Sequence, residues 1–289
     1  MKFRIVHTTR YSYPQPVSYC YNLAHLKPRA FQRQSCLNTT LRVEPLPAVM
    51  EERQDFFGNH LHYFALQQPH VELNITAVSE LQVDPQAGLF DAGTSSPWQA
   101  VRAQLPADDP EIALYRLESP FTPLTDELQH YATPSFPDHR PLLDAVHDLM
   151  QRIHMDFIYD PHFSTIATPL AEVLRHRRGV CQDFAHLAIA CLRAMGLAAR
   201  YVSGYLETQP PPGQPRMVGA DASHAWFSVY VPQVGWIDFD PTNNQVPMEG
   251  HIVTAWGRDY GDIAPLKGVI FGGGDSHTLD VAVDVERID

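Results

Sequence analysis

A chain of 289 residues is long enough for two domains and a sizeable core, and an apolar content of 44% excludes intrinsic disorder. No apolar run approaches the ~20 residues that span a bilayer, so no membrane segment is expected, and a formal charge of −12 disfavours nucleic acid and anionic lipid as partners. Four cysteines without a Cys-x-x-Cys pair make neither a disulfide scaffold nor a zinc site, and nothing in the sequence asks for a cofactor or a metal.

The N-terminus, Met1 to His7, alternates like a strand and lacks the continuous apolar stretch of a signal peptide, which makes the cytoplasm the expected compartment. Period-two alternation continues the β reading. Lys2 to Thr9 places Phe3 and Ile5 on one side, and Leu37, Thr39, Leu41 and Val43 share a face until Pro45-Leu46-Pro47 ends the run. Runs at His60 to Leu66 and Val71 to Val78 follow, punctuated by Gly58-Asn59 and Gln68-Pro69-His70. Residues 1–84 are therefore expected to form a small β-sandwich.

Residues 84–97, rich in Gly, Ser, Asp and Pro, read as a linker, the first part of a helical connector over 85–139. Short helices are expected at Trp98 to Leu105, Pro110 to Leu117 and Leu124 to Tyr131. Leu142, Val146, Leu149 and Ile153 recur at helical spacing and predict a longer helix from Arg140 to Met155, opening a second unit over 140–289. Thr168-Pro169 starts another helix to His176, with threonine as N-cap and proline at the first helical position. Strands dominate again from Ala198, broken by a polar, proline-rich loop from Glu207 to Pro215 that reads as an exposed flap. Gly272-Gly273-Gly274 is a turn.

The helix beginning at Cys181 is the best-defined element. Phe184, Leu187, Ala188, Cys191, Leu192 and Met195 form one apolar stripe, and Gly196 stops it. Cys191 belongs to that stripe and is core. Cys181 instead sits in the first turn, where free N–H groups and the helix dipole favour a negative sulfur and can form half of an oxyanion hole. Downstream, His224 opens a strand in which Trp226, Ser228 and Tyr230 share its face. After the turn Pro232-Gln233-Val234-Gly235, a paired strand runs from Trp236 to Asp240. A loop of odd length, or a bulge, brings Asp240 nearly opposite Trp226 and diagonal to His224, whereas an even loop without a bulge separates them. A carboxylate so placed would fix the imidazole tautomer and leave the other nitrogen for the thiol. Asp238 is the rival for that role, expected on the face opposite Asp240. Asp183 and His186 read as a local pair, and His60 and His62 lack a third ligand at metal spacing. Arg258-Asp259-Tyr260 either lines the site or forms a structural corner.

These blocks, with Gly179-Val180-Cys181-Gln182-Asp183-Phe184-Ala185-His186, Ala199-Arg200-Tyr201-Val202-Ser203-Gly204-Tyr205, Ser223-His224-Ala225-Trp226 and Asp240-Pro241-Thr242, resemble the core of the bacterial transglutaminase-like superfamily, a papain-related cysteine group. Tyr11-Ser12-Tyr13, Leu26-Lys27-Pro28-Arg29 and Phe57-Gly58-Asn59 resemble the β domain that precedes that core, and His251-Ile252-Val253 and Gly257-Arg258-Asp259-Tyr260 its closing segment. The zinc-binding cysteine pairs of peptide:N-glycanases and the calcium loops of animal transglutaminases are absent from the sequence. The resemblance implies an α+β architecture: an N-terminal β-sandwich-like domain, a connector, and a core in which the cysteine helix packs on an antiparallel sheet. It also implies Cys181 as nucleophile, His224 as base and Asp240 as orienting acid. Gln182, Tyr159 and Trp226 are candidates for the oxyanion or substrate contact. The expected function is cysteine-dependent hydrolysis of an amide bond in a peptide or small molecule, through a thioester. Acyl transfer to an amine and a silent peptide-binding module are the alternatives.

Overall fold

A computed structural model describes residues 1–84, 95–106, 109–208 and 223–288. The proposed linker therefore lies outside the described residues over 85–94, and the proposed flap beyond Thr208 does also.

The chain opens with β1 (Lys2–Ala24), β2 (Gln34–Glu44), β3 (Val49–Gln54), β4 (His60–Leu66) and β5 (His70–Val83). The strand read as Lys2 to Thr9 is far longer than expected, because its alternation resumes after Pro14-Gln15-Pro16. Those prolines interrupt the ladder, and the pairing with β5 shifts between Ser12 and Val17. The first half of β1 pairs with β5 and the second half with β4, so one antiparallel sheet bends around a core that includes Val17, Cys20, Phe64, Leu66, Leu73 and Ile75.

Helices follow: α1 (Trp98–Gln104), α2 (Pro110–Leu114), α3 (Asp126–Ala132) and α4 (Leu142–Asp156). The short strand β6 (Ile158–Tyr159) pairs in parallel with β7 (Arg178–Gly179), flanking α5 (Leu170–His176), and α6 (Cys181–Ala194) comes next. Helix α5 begins one residue later than expected. Pro169 is its N-cap, and the Thr168 hydroxyl instead accepts from the Thr165 N–H at 2.9 Å. Strands β8 (Ala199–Leu206), β9 (Ser223–Val231), β10 (Gly235–Phe239) and β11 (His251–Gly257) form an antiparallel sheet in the order β10-β9-β8-β11. The chain closes with α7 (Tyr260–Ile263), β12 (Leu266–Gly272) and β13 (Thr278–Arg287).

The last two strands leave the core sheet. Both pair with β1: β13 along Phe3 to Ser12 and β12 along Val17 to Ala24. The C-terminal segment thus returns to the N-terminal sheet, and β1 is hydrogen-bonded on both edges along most of its length. No sequence period reveals this, because alternation marks a strand but not its partner.

One face of the core sheet packs on α6. Ala225, Phe227 and Val229 of β9 join Leu187, Ala188, Cys191 and Leu192 of the helix, as the alternation predicts. The opposite face, with Trp226, Val202 and Val253, meets the N-terminal unit. Strand β11 is the sheet edge, and its free backbone groups are met by buried amide side chains. Gln34 donates to Val253 O (2.7 Å) and accepts from Val253 N (2.9 Å), while Asn59 donates to Trp256 O (2.9 Å) and accepts from Trp256 N (3.0 Å). These clamps cover an edge that would otherwise pair with another chain. Arg29 lies 3.6 Å over the Trp256 ring and donates to Phe57 O and Asn59 Oδ1, which gives the Arg29 and Phe57-Gly58-Asn59 motifs a structural role.

Cys191 is fully buried and its thiol faces Leu128 O at 3.6 Å. Replacing it with alanine leaves a small void and should lower stability by about 1–2 kcal/mol. Urea unfolding of Cys191→Ala, paired with an activity assay that should not change, checks this.

Candidate active site

Helix α6 is built to present Cys181. The Asp183 carboxylate turns back to accept the Val180 N–H at 2.9 Å, capping the first turn, and also accepts from the Ser164 hydroxyl. Burial pushes the Asp183 carboxyl up, against the pull of these two bonds. The carboxylate approaches Gly179 so closely that a Cβ there would lie 2.7 Å from Asp183 Oδ2, which is why glycine precedes the cysteine turn. Asp183 does not pair with His186, as the sequence suggested. His186 is stacked on Phe121 and lies tilted against Tyr201, and its Nε2 accepts the Tyr260 N–H at 3.1 Å. Burial lowers the His186 pKa to about 3, so the ring is neutral and can accept.

The β9–β10 hairpin has the odd register. Val231 pairs with Gly235, leaving three loop residues, and Asp238 faces Ser228. Asp240 therefore falls on the face of Trp226 and His224, and its Oδ2 lies 2.8 Å from His224 Nε2. Asp238 lies on that same face, contrary to the expectation, since residues two apart in a strand point alike. It is kept from His224 by its place along the strand, where it accepts from Ser228 Oγ and from Arg33 (3.2 Å).

Asp240 is fully buried and holds more than one partner. Its Oδ2 also accepts from His251 Nε2 (3.0 Å) and Asn243 Nδ2 (2.8 Å), and its Oδ1 from the N–H groups of Thr242 (3.0 Å) and Asn243 (3.2 Å). Burial opposes this charge, but the bonds from His224 and His251 win and hold the carboxyl well below its usual range. With Nε2 directed at Asp240, Nδ1 is the ring nitrogen left for Cys181. Burial disfavours the imidazolium, yet the bonds to Asp240 and Cys181 outweigh it and raise the His224 pKa to about 10. His251 and Asn243 escaped the sequence reading. His251 stood in a quoted block, but only the fold brings β11 beside Asp240.

Among the described residues, His224, Asp240 and His251 form a group whose ligand atoms lie within 4.8 Å of one another, close enough to hold a metal ion. Here the Asp240 oxygens are engaged by N–H donors instead.

The remaining candidates divide. Tyr159 is 54% exposed, and burial, followed by the Cys181 charge, raises its pKa. Tyr201, not singled out from sequence, is buried on the α6 side of β8 and feels the same charge after the larger effect of burial. Alternation along β8, which puts Ala199 and Tyr201 on one face, is the signal that would have found it. Gln182 lies in the first turn of α6, partly buried. Trp226 is 0% exposed and so offers substrate no surface; its ring backs His224 (5.9 Å between centroids) and His251 (5.2 Å). Arg258 and Asp259 form a corner: Arg258 pairs with Asp262 at 2.8 Å, and Asp259 accepts from Phe121 N and Gly261 N. Tyr260 reaches further, with its ring 6.4 Å from Tyr201.

The two pKa shifts act on stability at opposite ends of the pH scale. The raised His224 stabilises the fold fully below its ordinary value of 6.5, and that contribution is lost as pH climbs toward about 10. The lowered Asp240 contributes above its ordinary 3.8, and its share is lost as pH falls. Asp240→Asn should cost about 3 kcal/mol near pH 6 by breaking the buried pair. It should also flatten the loss of stability between pH 6.5 and 10 and lower the His224 titration midpoint in NMR. An unchanged midpoint would show that Asp240 does not control this imidazole.

Residues 3–82 match the bacterial transglutaminase-like N-terminal region, and residues 130–241 match the transglutaminase-like superfamily core. An uncharacterized protein of Mycobacterium tuberculosis is 45% identical over 291 residues, covering 98% of this chain and 92% of its own. A solved structure from Cytophaga hutchinsonii, described as a "Putative Cysteine Protease", superposes with a TM-score of 0.79 at 23% identity, covering 100% of this chain and 91% of that one. A protein-glutamine gamma-glutamyltransferase of Pseudomonas aeruginosa is 36% identical over 72 residues, 25% of this chain and 11% of its own length. Among the described residues no helix is long and apolar enough to cross a membrane. With a matching core model, a matching N-terminal model and a relative similar over nearly its whole length, the chain belongs to the transglutaminase-like superfamily.

Proposed function

We propose that the protein is a cysteine-dependent amide-bond hydrolase acting on a peptide or an amide-containing small molecule through a thioester. One observation carries this reading: Asp240 occupies His224 Nε2, which leaves Nδ1 as the ring nitrogen available to Cys181. In this mechanism Cys181 and His224 form a thiolate–imidazolium pair, and the sulfur attacks the carbonyl carbon. The tetrahedral oxyanion is held by the Cys181 backbone N–H and a second donor. His224 then gives its proton to the departing amine, and the C–N bond breaks to leave a thioester. Water, deprotonated by His224, attacks the thioester, releasing the acid and returning the proton to the Cys181–His224 pair. The balanced result is amide plus water giving acid plus amine. The reading places the enzyme in the cytoplasm, where unbridged thiols such as its four free cysteines persist.

Transamidation is the second reading, favoured by the segment similar to the Pseudomonas aeruginosa glutamyltransferase. Here a primary amine replaces water at the thioester. Cys181→Ala should abolish turnover of any amidated peptide while leaving the fold intact, because this side chain lies at the helix start and not on its packed stripe. Product analysis by mass spectrometry in millimolar primary amine separates the readings. Free acid as the main product supports hydrolysis, and a predominant amine adduct replaces it with transfer. Retained turnover in Cys181→Ala ends both, and rapid alkylation of Cys181 without turnover on any amide favours a silent binding module.

Tyr159, Tyr201 and Gln182 are the candidates for the second oxyanion donor. Tyr201→Phe or Tyr159→Phe should lower kcat roughly a hundredfold with KM little changed for whichever hydroxyl supplies the bond. Equal, small effects in both would direct the role to Gln182.

A further inference from the structure

The outer face of the core sheet carries His224 and Asp240 at one end and is hollow at the other. A cavity of about 570 Å³ lies there between the sheet and the N-terminal unit, bounded by Phe31, Arg33, Arg200, Trp236, Asp238 and Trp256 among others. That is the size of a small-molecule site. None of these residues enters the reaction proposed above.

Arg200 is the unusual feature. It projects from β8, between β9 and β11 in the sheet order, and is only 6% exposed. Its guanidinium carbon lies 4.4 Å from the Trp236 ring centroid on the β10 side and 3.8 Å from that of Trp256 on the β11 side. Nε donates to Ser228 Oγ at 3.3 Å, and Ser228 in turn donates to Asp238. Among the described residues the two Nη atoms meet no acceptor, so the end of the fork, the part that binds carboxylates bidentately, is left over. Arg33 adds a sealed donor. Its Nη2 donates to Asp238 Oδ2 at 3.2 Å, while its Nη1 is shut off from solvent with no acceptor. A buried donor without a partner, such as Arg33 Nη1, is costly and rare, and it belongs to a guanidinium that lines the same cavity as Arg200.

The charge balance agrees. Arg33 and Arg200 face one buried carboxylate, Asp238, which leaves an excess of one positive charge inside. The other two acids on the lining, Asp84 and Glu111, are exposed, and water screens them. Phe31, Val202, Val253 and the two indoles supply an apolar wall.

We propose that this cavity binds a monoanionic ligand with an apolar body, its carboxylate held by the Arg200 fork with the Arg33 charge beside it and its apolar part against Trp236, Trp256 and Phe31. Two sources present that chemistry: the C-terminal residue of a peptide and a short fatty acid.

Tryptophan fluorescence of the full-length Cys181→Ala protein tests this without interference from turnover, because Trp236 and Trp256 lie beside the charge. The probes are acetyl-leucyl-phenylalanine, its C-terminal amide, octanoate and inorganic phosphate. Saturable quenching by a carboxylate, at least tenfold weaker for the amide, supports the site, and the tighter of peptide acid and octanoate identifies the source. Arg33→Gln, a change at a partly exposed position, should weaken the carboxylate at least tenfold with unchanged far-UV circular dichroism. Arg200→Lys keeps the charge but removes the fork and should do the same. Equal binding of acid and amide, phosphate binding as tightly as the carboxylates, unchanged affinity in both folded variants, or no saturation by either carboxylate overturns the proposal.

Discussion

The arrangement of this protein turns on one buried carboxylate. Taking an aspartate out of water is costly, by several kcal/mol even after relaxation, and Asp240 is fully buried. Five N–H groups offset that cost: those of His224, His251 and the Asn243 side chain, and two from the backbone. Three separate chain segments are thereby tied to one residue: the start of β9, the loop after β10 and the start of β11. The same bonds fix the His224 ring and decide which of its nitrogens is left for Cys181.

The second constraint is the sheet edge. Strand β11 must place His251 at Asp240 and yet has no strand beyond it. Gln34 and Asn59, both buried, supply the missing acceptors and donors through their side-chain amides. The N-terminal unit is thus part of the support for the site. Its own sheet is completed by β12 and β13, so the two ends of the chain are bound into one layer. A substitution at Gln34 would reach His251 through the backbone of β11, two residues away.

The two faces of the core sheet have different tasks. The inner face is apolar and carries α6, which places Cys181 at its first turn. The outer face is polar along one line, from Arg200 through Ser228 to Asp238, with His224 and Asp240 further on. Trp226 lies between these groups. It is wholly buried among Val202 and Val253, which also line the hollow, and it contacts the rings of His224 and His251. The hollow and the candidate active site therefore share a wall.

What the sequence by itself determined was local. Periodicity located α4 and α6, alternation assigned the faces of β9, and Cys181, His224 and Asp240 were legible because each sits at a recognisable helix start, strand start or strand end. The hairpin register was limited by counting to two alternatives, of which one brought Asp240 to His224. Counting should also have put Asp238 and Asp240 on one face, and the expectation that it did not came from ignoring the two-residue repeat. Only the tertiary structure decided the rest. That β12 and β13 return to β1, that His251 and Asn243 converge on Asp240, that Asp183 caps Val180 and not His186, and that Arg200 lies between two indoles are contacts between segments far apart in sequence or differently turned in space. Hydrophobic period and turn chemistry report on a residue's neighbours along the chain. Which strand lies beside which is settled by burial and hydrogen-bond completion over the whole molecule.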